Sequence, residues 1–305
     1  MTAPHLRQFG RRSDTLLYWS ERSGSRQVFQ LDLKTGESRQ LSEAEQLDGH
    51  SIALTADERA VSFFDGPALV ETSFGNLAKR TLHTVPEGAV RTGLAQAFDG
   101  SLLFAETRDG RSRIVRTQRT GTAATVTTVN GTVDLMMARP RQNQLLFRAG
   151  DTISIINLDG SGLRPLKLEP GRTGMVAWTP GGRSVVYLHI PDDPKQLISL
   201  REHFPGDGAD RAVASTSQFE SIAPNGDASV FVGASRSKAS AYVLILLRVT
   251  RRELTLCEHK ASDPKMVSPV FSPDSQSVFF TTDRHGKSAL YRLRVDKFVE
   301  ETGQG

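Results

Sequence analysis

The chain has little cysteine, little aromatic character and no long apolar run. Cys257 is the single cysteine among 305 residues, so no disulfide can form within the chain, as is typical of proteins from a reducing compartment. No apolar run approaches the length of a membrane helix. Residues 1–10 lack the apolar core of a signal peptide, although a chain whose leader had been removed would look the same. We therefore expect a cytoplasmic protein with no membrane partner.

The charge pattern and one missing motif exclude two further classes. The 38 basic and 34 acidic residues give a formal net charge of +4, and these charges are scattered rather than gathered in a basic run. We therefore expect no nucleic-acid partner. The sequence has no Gly-x-Ser-x-Gly elbow, which excludes a serine hydrolase of that type.

What the sequence does contain is a degenerate repeat. Its clearest copy is Val270-Phe271-Ser272-Pro273-Asp274, followed by the apolar run Val278-Phe279-Phe280. Each copy has a short apolar run, a turn of Pro, Asp, Gly or Asn, and then a β-branched or aromatic run. Six copies are found, at residues 52–64, 94–104, 135–147, 176–187, 220–232 and 270–280. Their spacing of about forty residues is the period of a four-stranded propeller blade.

The repeat predicts an all-β protein, a seven-bladed β-propeller of four-stranded antiparallel blades. The predicted blades are 1–47, 48–88, 89–130, 131–170, 171–214, 215–261 and 262–302. They form a single domain over 1–302, with residues 303–305 as a tail. The first strand of each blade should line the central channel, and these inner strands include residues 176–178 and 267–271.

Several segments resemble oligogalacturonate lyase. They are Gln40-Leu41-Ser42, Asn157-Leu158-Asp159-Gly160, Leu256-Cys257-Glu258-His259 and Phe271-Ser272-Pro273-Asp274, the last also shared with TolB-like propellers. The resemblance implies a cytoplasmic bacterial seven-bladed propeller that takes part in pectin degradation. Such enzymes cleave unsaturated galacturonate oligomers by β-elimination and use manganese held by histidines and a glutamine.

The residues at the positions of those metal ligands differ here. The family's His-Pro-His-Pro motif falls on Met266-Val267-Ser268-Pro269, and its ligand glutamine falls on Asp263. The histidine before the sixth inner strand falls near Glu220 or Ser221, and a candidate base histidine falls on Met175. Thioethers and hydroxyls replace imidazoles poorly as ligands of such a metal. We therefore predict no metal site, no cofactor and no catalytic residues of the family type.

One set of charged residues could form a different site. His50, Arg91, Arg172 and Lys265 are each expected a few residues before the first strand of blades two, three, five and seven. Loops at that position open on the same channel mouth, so these side chains could form a rim that binds an anion. Charged residues are also common in loops that have no function.

Three functions remain open. The first is a non-catalytic propeller that binds an acidic oligosaccharide, another anion or a protein at the channel mouth. The second is a lyase with an altered site, in which Asp263, Glu220 or an arginine takes a new role. The third is a TolB-like protein-interaction module. The sequence leaves the oligomeric state open.

Overall fold

The computed structural model of the chain describes residues 5–9, 14–216 and 219–295. Within them the regular structure is almost entirely β-strand, arranged as seven antiparallel sheets that follow one another along the chain. In each sheet the strands are hydrogen-bonded in sequence order. This is the topology of a seven-bladed β-propeller, which confirms the predicted all-β fold class.

The chain divides into two compact units, and the first of them, residues 7–168, is called the N-terminal unit. It holds blades one to four, with β1 beginning two residues before the unit. Blade one consists of β1 (His5–Phe9), β2 (Thr15–Ser20), β3 (Gln27–Asp32) and β4 (Ser38–Gln40). Blade two consists of β5 (Leu47–Leu54), β6 (Ala60–Asp65), β7 (Ala68–Ser73) and β8 (Lys79–Thr84). Blade three consists of β9 (Val90–Gln96), β10 (Leu102–Arg108), β11 (Arg111–Thr117) and β12 (Ala123–Asn130). Blade four consists of β13 (Val133–Ala138), β14 (Gln144–Ala149), β15 (Thr152–Asn157) and β16 (Arg164–Pro165).

The C-terminal unit comprises residues 169–305 together with residues 1–6 and holds blades five to seven. Blade five consists of β17 (Arg172–Trp178), β18 (Val185–Ile190), β19 (Ser199–His203) and β20 (Asp210–Ser215). Blade six consists of β21 (Ala223–Pro224), β22 (Val230–Ala234), β23 (Tyr242–Leu247) and β24 (Arg252–Glu258). Blade seven consists of β25 (Val270–Phe271), β26 (Ser277–Thr282) and β27 (Ala289–Arg294). Two short 3-10 helices, Lys238–Ser240 and Pro264–Met266, lie in loops of this unit.

The predicted blade boundaries agree with the sheets to within one residue: β5 begins at Leu47 rather than at residue 48, and β20 ends at Ser215 rather than at residue 214. Of the predicted inner strands, residues 176–178 lie in β17, whereas only Val270–Phe271 of the second stretch is strand. Blade seven has three strands within the described residues, and the predicted tail at 303–305 lies outside them. A single domain over 1–302 stays a prediction. No helix in the described part of the chain is long and apolar enough to cross a membrane.

The repeated turn residue has a defined structural role. In the first hairpin of blades six and seven, Asp227 Oδ1 accepts the backbone N–H of Ser229 at 2.9 Å, and Asp274 Oδ1 accepts that of Gln276 at 3.0 Å. Hydrogen bonds from the hydroxyl and backbone of Ser229 hold the pKa of Asp227 below its usual range. Such an Asx turn fixes where the first strand ends and the second begins. The turn therefore sets the register that the repeat requires.

The hydrophobic core lies between neighbouring blades. In the N-terminal unit, one cluster joins blades one and two around Trp19 and Phe63, and a second joins blades two and three around Phe64 and Phe104. A third joins blades three and four around Phe147. In the C-terminal unit, clusters join blade five to blade six and blade six to blade seven. Each sheet therefore buries its faces against its neighbours within the unit.

One glycine marks the closest backbone approach in blade six. A Cβ on Gly233, in β22, would stand 2.2 Å from the carbonyl oxygen of Ser221 and 3.1 Å from the ring of Phe219. Real Cβ atoms essentially never come that close to a backbone atom. The segment that precedes β21 can therefore pack on β22 only because position 233 has no side chain.

We predict that Gly233→Ala lowers the free energy of unfolding by about 2 kcal/mol, within the range for overpacked cores. The cause is steric, because the added methyl must displace the backbone at Ser221. Urea titration followed by circular dichroism measures the change. Gly181→Ala is the matched control, since a Cβ at Gly181 meets nothing within 4 Å. An equal loss in both variants would contradict the steric explanation.

Candidate functional site

Arg91 is bound firmly within the N-terminal unit. Its Nη1 donates to Asp48 Oδ2 at 2.7 Å, and its Nε donates to the carbonyl of Gly66 at 3.0 Å. Its guanidinium carbon also lies 4.6 Å from the ring centre of Phe64. These contacts connect β9 to blade two, and Asp48 compensates the charge. Arg91 therefore has an evident structural role, whatever it contributes to binding.

His50 lies in a constrained part of the same unit. Its backbone N–H donates to Asp48 Oδ1 at 2.9 Å, and its side chain is exposed. The preceding Gly49 packs so closely on Trp19 that a Cβ there would be 2.4 Å from the indole Nε1. The pairing of β5 with β6 shifts register between Leu47 and Ile52, so this stretch forms a bulge.

Arg172 and Lys265 lie in the C-terminal unit and differ from Arg91. Both side chains are exposed, and neither makes a hydrogen bond or ion pair through its charged group within the described residues. Arg172 is the first residue of β17, and Lys265 lies in the 3-10 helix Pro264–Met266. These two cations are available to a ligand.

The four charged residues were expected a few residues before the first strands of their blades, and for three of them this expectation is wrong. His50, Arg91 and Arg172 lie inside β5, β9 and β17. The physical reason is that each of these strands continues past a register shift, which adds residues at its start. Only Lys265 precedes its strand, β25. Two of the four residues fall in each unit, and a common anion-binding rim stays a prediction.

The positions at which the resemblance implies metal ligands and a base histidine all fall in the C-terminal unit. Met175 stands where a candidate base histidine is expected. Its side chain is 39% exposed, and its sulfur accepts the backbone N–H of Ile222 at 3.3 Å. The thioether therefore connects β17 to the segment that leads into β21.

Glu220 and Ser221 precede β21. A Glu220 carboxylate oxygen lies 3.8 Å from the Nε of Arg236, so the two form an ion pair at the start of the blade. Ser221 is buried, and its hydroxyl accepts the backbone N–H of Ala234 at 3.3 Å. Both residues thus have partners in blade six.

The loop before blade seven is closed by its own hydrogen bonds. Asp263 caps the 3-10 helix by accepting the backbone N–H of Lys265 at 3.0 Å. Ser268 Oγ donates to the carbonyl of Lys265 at 3.2 Å, and the Ser268 backbone has a φ of 34°. The carbonyl of Met266 accepts the hydroxyl of Thr281. The side chains at 263 and 268 therefore shape the loop itself.

The same loop is anchored at its start by His259 and Asp283. Asp283 accepts the backbone N–H of Ser262 at 2.8 Å, together with its hydroxyl. The His259 ring is fully buried, and its Nδ1 accepts the backbone N–H of Ala261 at 3.0 Å. Burial lowers the pKa of His259, since a charged imidazolium would lose its hydration there.

These side chains do not fit a manganese ion. A thioether at position 266 and a hydroxyl at position 268 stand where the resemblance implies imidazole ligands, and manganese prefers oxygen and nitrogen ligands. The carboxylate at 220 is paired with Arg236, and the one at 263 caps a helix turn. Among the residues that the structure describes, no group of three or more His, Cys, Asp or Glu side chains could hold a metal ion.

Comparison with known proteins identifies solved structures of similar fold. No family model and no curated protein matches the chain. A solved oligogalacturonate lyase in complex with manganese is 21% identical, with a TM-score of 0.88 over 96% of this chain and 89% of the other. Oligogalacturonate lyase from Vibrio parahaemolyticus is 19% identical, with a TM-score of 0.89 over 98% and 92%. The chain shares the fold of these lyases.

TolB-like propellers are more distant. TolB from Acinetobacter baumannii is 15% identical, with a TM-score of 0.57 over 81% of this chain and 64% of the other. The resemblance to oligogalacturonate lyase is therefore confirmed for the fold. At these levels of identity the likeness shows the fold alone.

Sequence reasoning missed several residues that determine the geometry of these loops. The sequence marks His259 only as the last residue of a segment that resembles oligogalacturonate lyase, and it gives no role to Arg236 or Asp283. Each acts through a partner in another loop or strand, namely Glu220 for Arg236 and Ser262 for Asp283. No local motif reveals such pairs. The only available signal was the presence of polar residues at the ends of predicted strands.

We predict that His259 makes the protein less stable in mild acid. Its pKa is about 6.5 in the unfolded chain and lower in the folded one, so the unfolded state binds the proton more readily. Stability is therefore full above about pH 6.5 and declines as the pH falls through the folded pKa. Thermal melts at pH 7.5 and 5.5 should show a smaller pH effect in His259→Gln than in the wild type. His285→Gln, at an exposed hairpin residue, should behave as the wild type; an unchanged pH effect in His259→Gln would contradict the prediction.

Proposed function

We propose that the chain is a binding propeller with the fold of oligogalacturonate lyase, and that it binds a carboxylated oligosaccharide without cleaving it. The observation that carries the proposal is the role of the residues at positions where the resemblance implies a base histidine and metal ligands. Met175 accepts a backbone N–H, Asp263 caps a helix turn and Ser268 bonds back to Lys265. A lyase must stabilise the negative charge that develops when a proton next to a carboxylate is removed. The side chains at these positions do not supply that stabilisation through a metal.

Two exposed cations support the binding part of the proposal. Arg172 and Lys265 have no ionic partner among the described residues. Arg172 lies three residues before Met175 in β17, and Lys265 lies three residues before Ser268 in the loop before blade seven. A guanidinium group binds a carboxylate through two parallel hydrogen bonds, whereas an ammonium group acts as a point charge. Both suit the repeated carboxylates of an acidic sugar chain. We include a cytoplasmic location in the proposal, because the single, half-buried cysteine cannot form a disulfide within the chain.

The proposal predicts binding of unsaturated digalacturonate without turnover. Calorimetry should detect binding, while chromatography of the same mixture, with and without manganese, should show the substrate unchanged. Turnover would instead favour a lyase with an altered site, and its loss in Glu220→Gln or Arg236→Gln would identify the groups responsible. Neither binding nor turnover would contradict the proposal and favour a protein-interaction module. Manganese should also leave the melting temperature unchanged, because a ligand that binds the folded state raises it.

A second prediction concerns the two free cations. Replacing Arg172 and Lys265 together with glutamine should weaken binding by roughly fivefold, because exposed ion pairs contribute up to about 1 kcal/mol each. Binding to the wild type should also weaken as salt rises, since screening acts over about 8 Å at physiological ionic strength. Calorimetry at low and at physiological salt measures both effects.

The control for this variant must remove the same charge elsewhere. Arg11 and Arg12 would serve by sequence, but they lie outside the described residues. Arg141 and Lys167 are better, because both are exposed and make no ion pair in the described chain. If Arg141→Gln with Lys167→Gln weakens binding as much as the test variant, net charge alone explains the attraction.

A further inference from the structure

A cleft opens between blades five and six, at the opposite end of β17 from Arg172. It has a volume of about 410 Å³, which lies within the usual range for small-molecule sites. Three turns form its walls: the one after β17, the one between β19 and β20, and the one after β21. All of them belong to the C-terminal unit.

The buried carboxylate in the wall of the cleft has a partner within the protein for each of its oxygens. Glu202 is only 4% exposed, and its two carboxylate oxygens have separate partners. Ser184 Oγ donates to one oxygen at 2.5 Å, and the guanidinium of Arg248 binds the other. Arg248 comes from blade six, so this ion pair joins the two blades at the cleft. Neither charge of the pair is left for a ligand.

Two further arginines in the cleft have no acidic partner. The guanidinium carbons of Arg183 and Arg211 lie 6.0 and 5.5 Å from the ring centre of Phe204. Neither arginine forms an ion pair within the described residues, and both are exposed. Cation–π contact brings each guanidinium group to the same ring without neutralising its charge. Two positive groups at a common aromatic centre are suited to an anion.

The acidic residues of the cleft offer a second kind of contact. Asp207 Oδ1 accepts the backbone N–H of Ala209 at 3.0 Å, and Asp227 Oδ1 accepts that of Ser229 at 2.9 Å. Asp227 Oδ1 also accepts the hydroxyl of Ser229, and the Asn225 side chain hydrogen-bonds the same carboxylate. Each carboxylate offers about four lone-pair sites, so both can still accept a hydroxyl from a ligand. A cleft with unpaired guanidinium groups and carboxylate acceptors favours a molecule that carries both an anionic group and hydroxyls.

We propose that this cleft binds a small hydroxylated anion, with Arg183 and Arg211 holding the anionic group and Asp207 and Asp227 accepting hydroxyls. A sugar acid and a sugar phosphate share this chemistry. The site does not depend on the function proposed above, because it lies at the other end of the blades and uses different residues.

The test is calorimetric titration of the full chain with three probes: D-galacturonate, glucose 6-phosphate and inorganic phosphate. We expect at least one of the two organic anions to bind with a dissociation constant of about 1 mM or lower. Which of the two binds more tightly distinguishes a carboxylate from a phosphate ligand. Inorganic phosphate, which lacks the hydroxylated carbon skeleton, should bind more weakly.

The variants separate the cleft from general charge. Arg183→Gln with Arg211→Gln should weaken binding by about tenfold or more. Arg111→Gln with Arg141→Gln removes the same charge at exposed arginines that have no ion pair in the described chain, and should change affinity less than about twofold. Gly181→Trp tests the cleft by filling it, since the space beside Gly181 is open. It should abolish binding while the Arg172 and Lys265 variant leaves it intact.

Three results would overturn the proposal. The first is the absence of binding by either organic anion up to millimolar concentrations. The second is an equal loss of affinity in the test and control arginine variants. The third is inorganic phosphate binding as tightly as the organic anions, which would show that the acidic residues do not recognise hydroxyls. If the double arginine variant fails to fold, Gly181→Trp still decides between binding in the cleft and binding elsewhere.

Discussion

A four-stranded sheet of this size has two apolar faces and cannot bury either of them alone. Within each unit, every blade therefore depends on its neighbours, and the large buried side chains, such as Phe63, Phe104 and Phe231, lie in clusters that join adjacent sheets. This requirement explains why the apolar runs recur at a fixed period along the chain. It applies to strands and hairpin turns, and it leaves the loops at the strand starts almost unconstrained.

Because the core does not fix these loops, their chemistry can differ while the fold stays the same, as in the C-terminal unit. The architecture matches oligogalacturonate lyases closely, while Met175, Met266 and Ser268 stand where the resemblance implies histidines. Changing a residue that lies outside the core costs a propeller little stability. Here the residues at these positions have local roles, such as the contact between Met175 and Ile222. A shared fold therefore does not by itself imply a shared chemistry.

The features that the sequence predicted well are those encoded locally. The repeat and its turn residues predict the seven blades and their boundaries, because each depends on neighbouring residues. The rest depends on contacts between distant residues. Arg91 looked like a free cation, but its partner Asp48 lies 43 residues earlier. The bulges that lengthen β5, β9 and β17 are likewise set by the partner strand. The cleft at Phe204 needs three turns to converge, so no single segment could reveal it.

The hydrogen-bonded loop before blade seven has a consequence for protein engineering. Its shape depends on the Asp263 cap, on the Ser268 hydroxyl and on a backbone φ of 34° at Ser268, in the left-handed region that favours glycine. Grafting imidazoles onto positions 266 and 268 would remove one of these supports while keeping the strained backbone. A designer who wished to install a metal here would have to rebuild residues 262–269 as a unit, together with Thr281 and Asp283. The hydrogen bonds of this loop depend on one another, so its side chains cannot be exchanged independently.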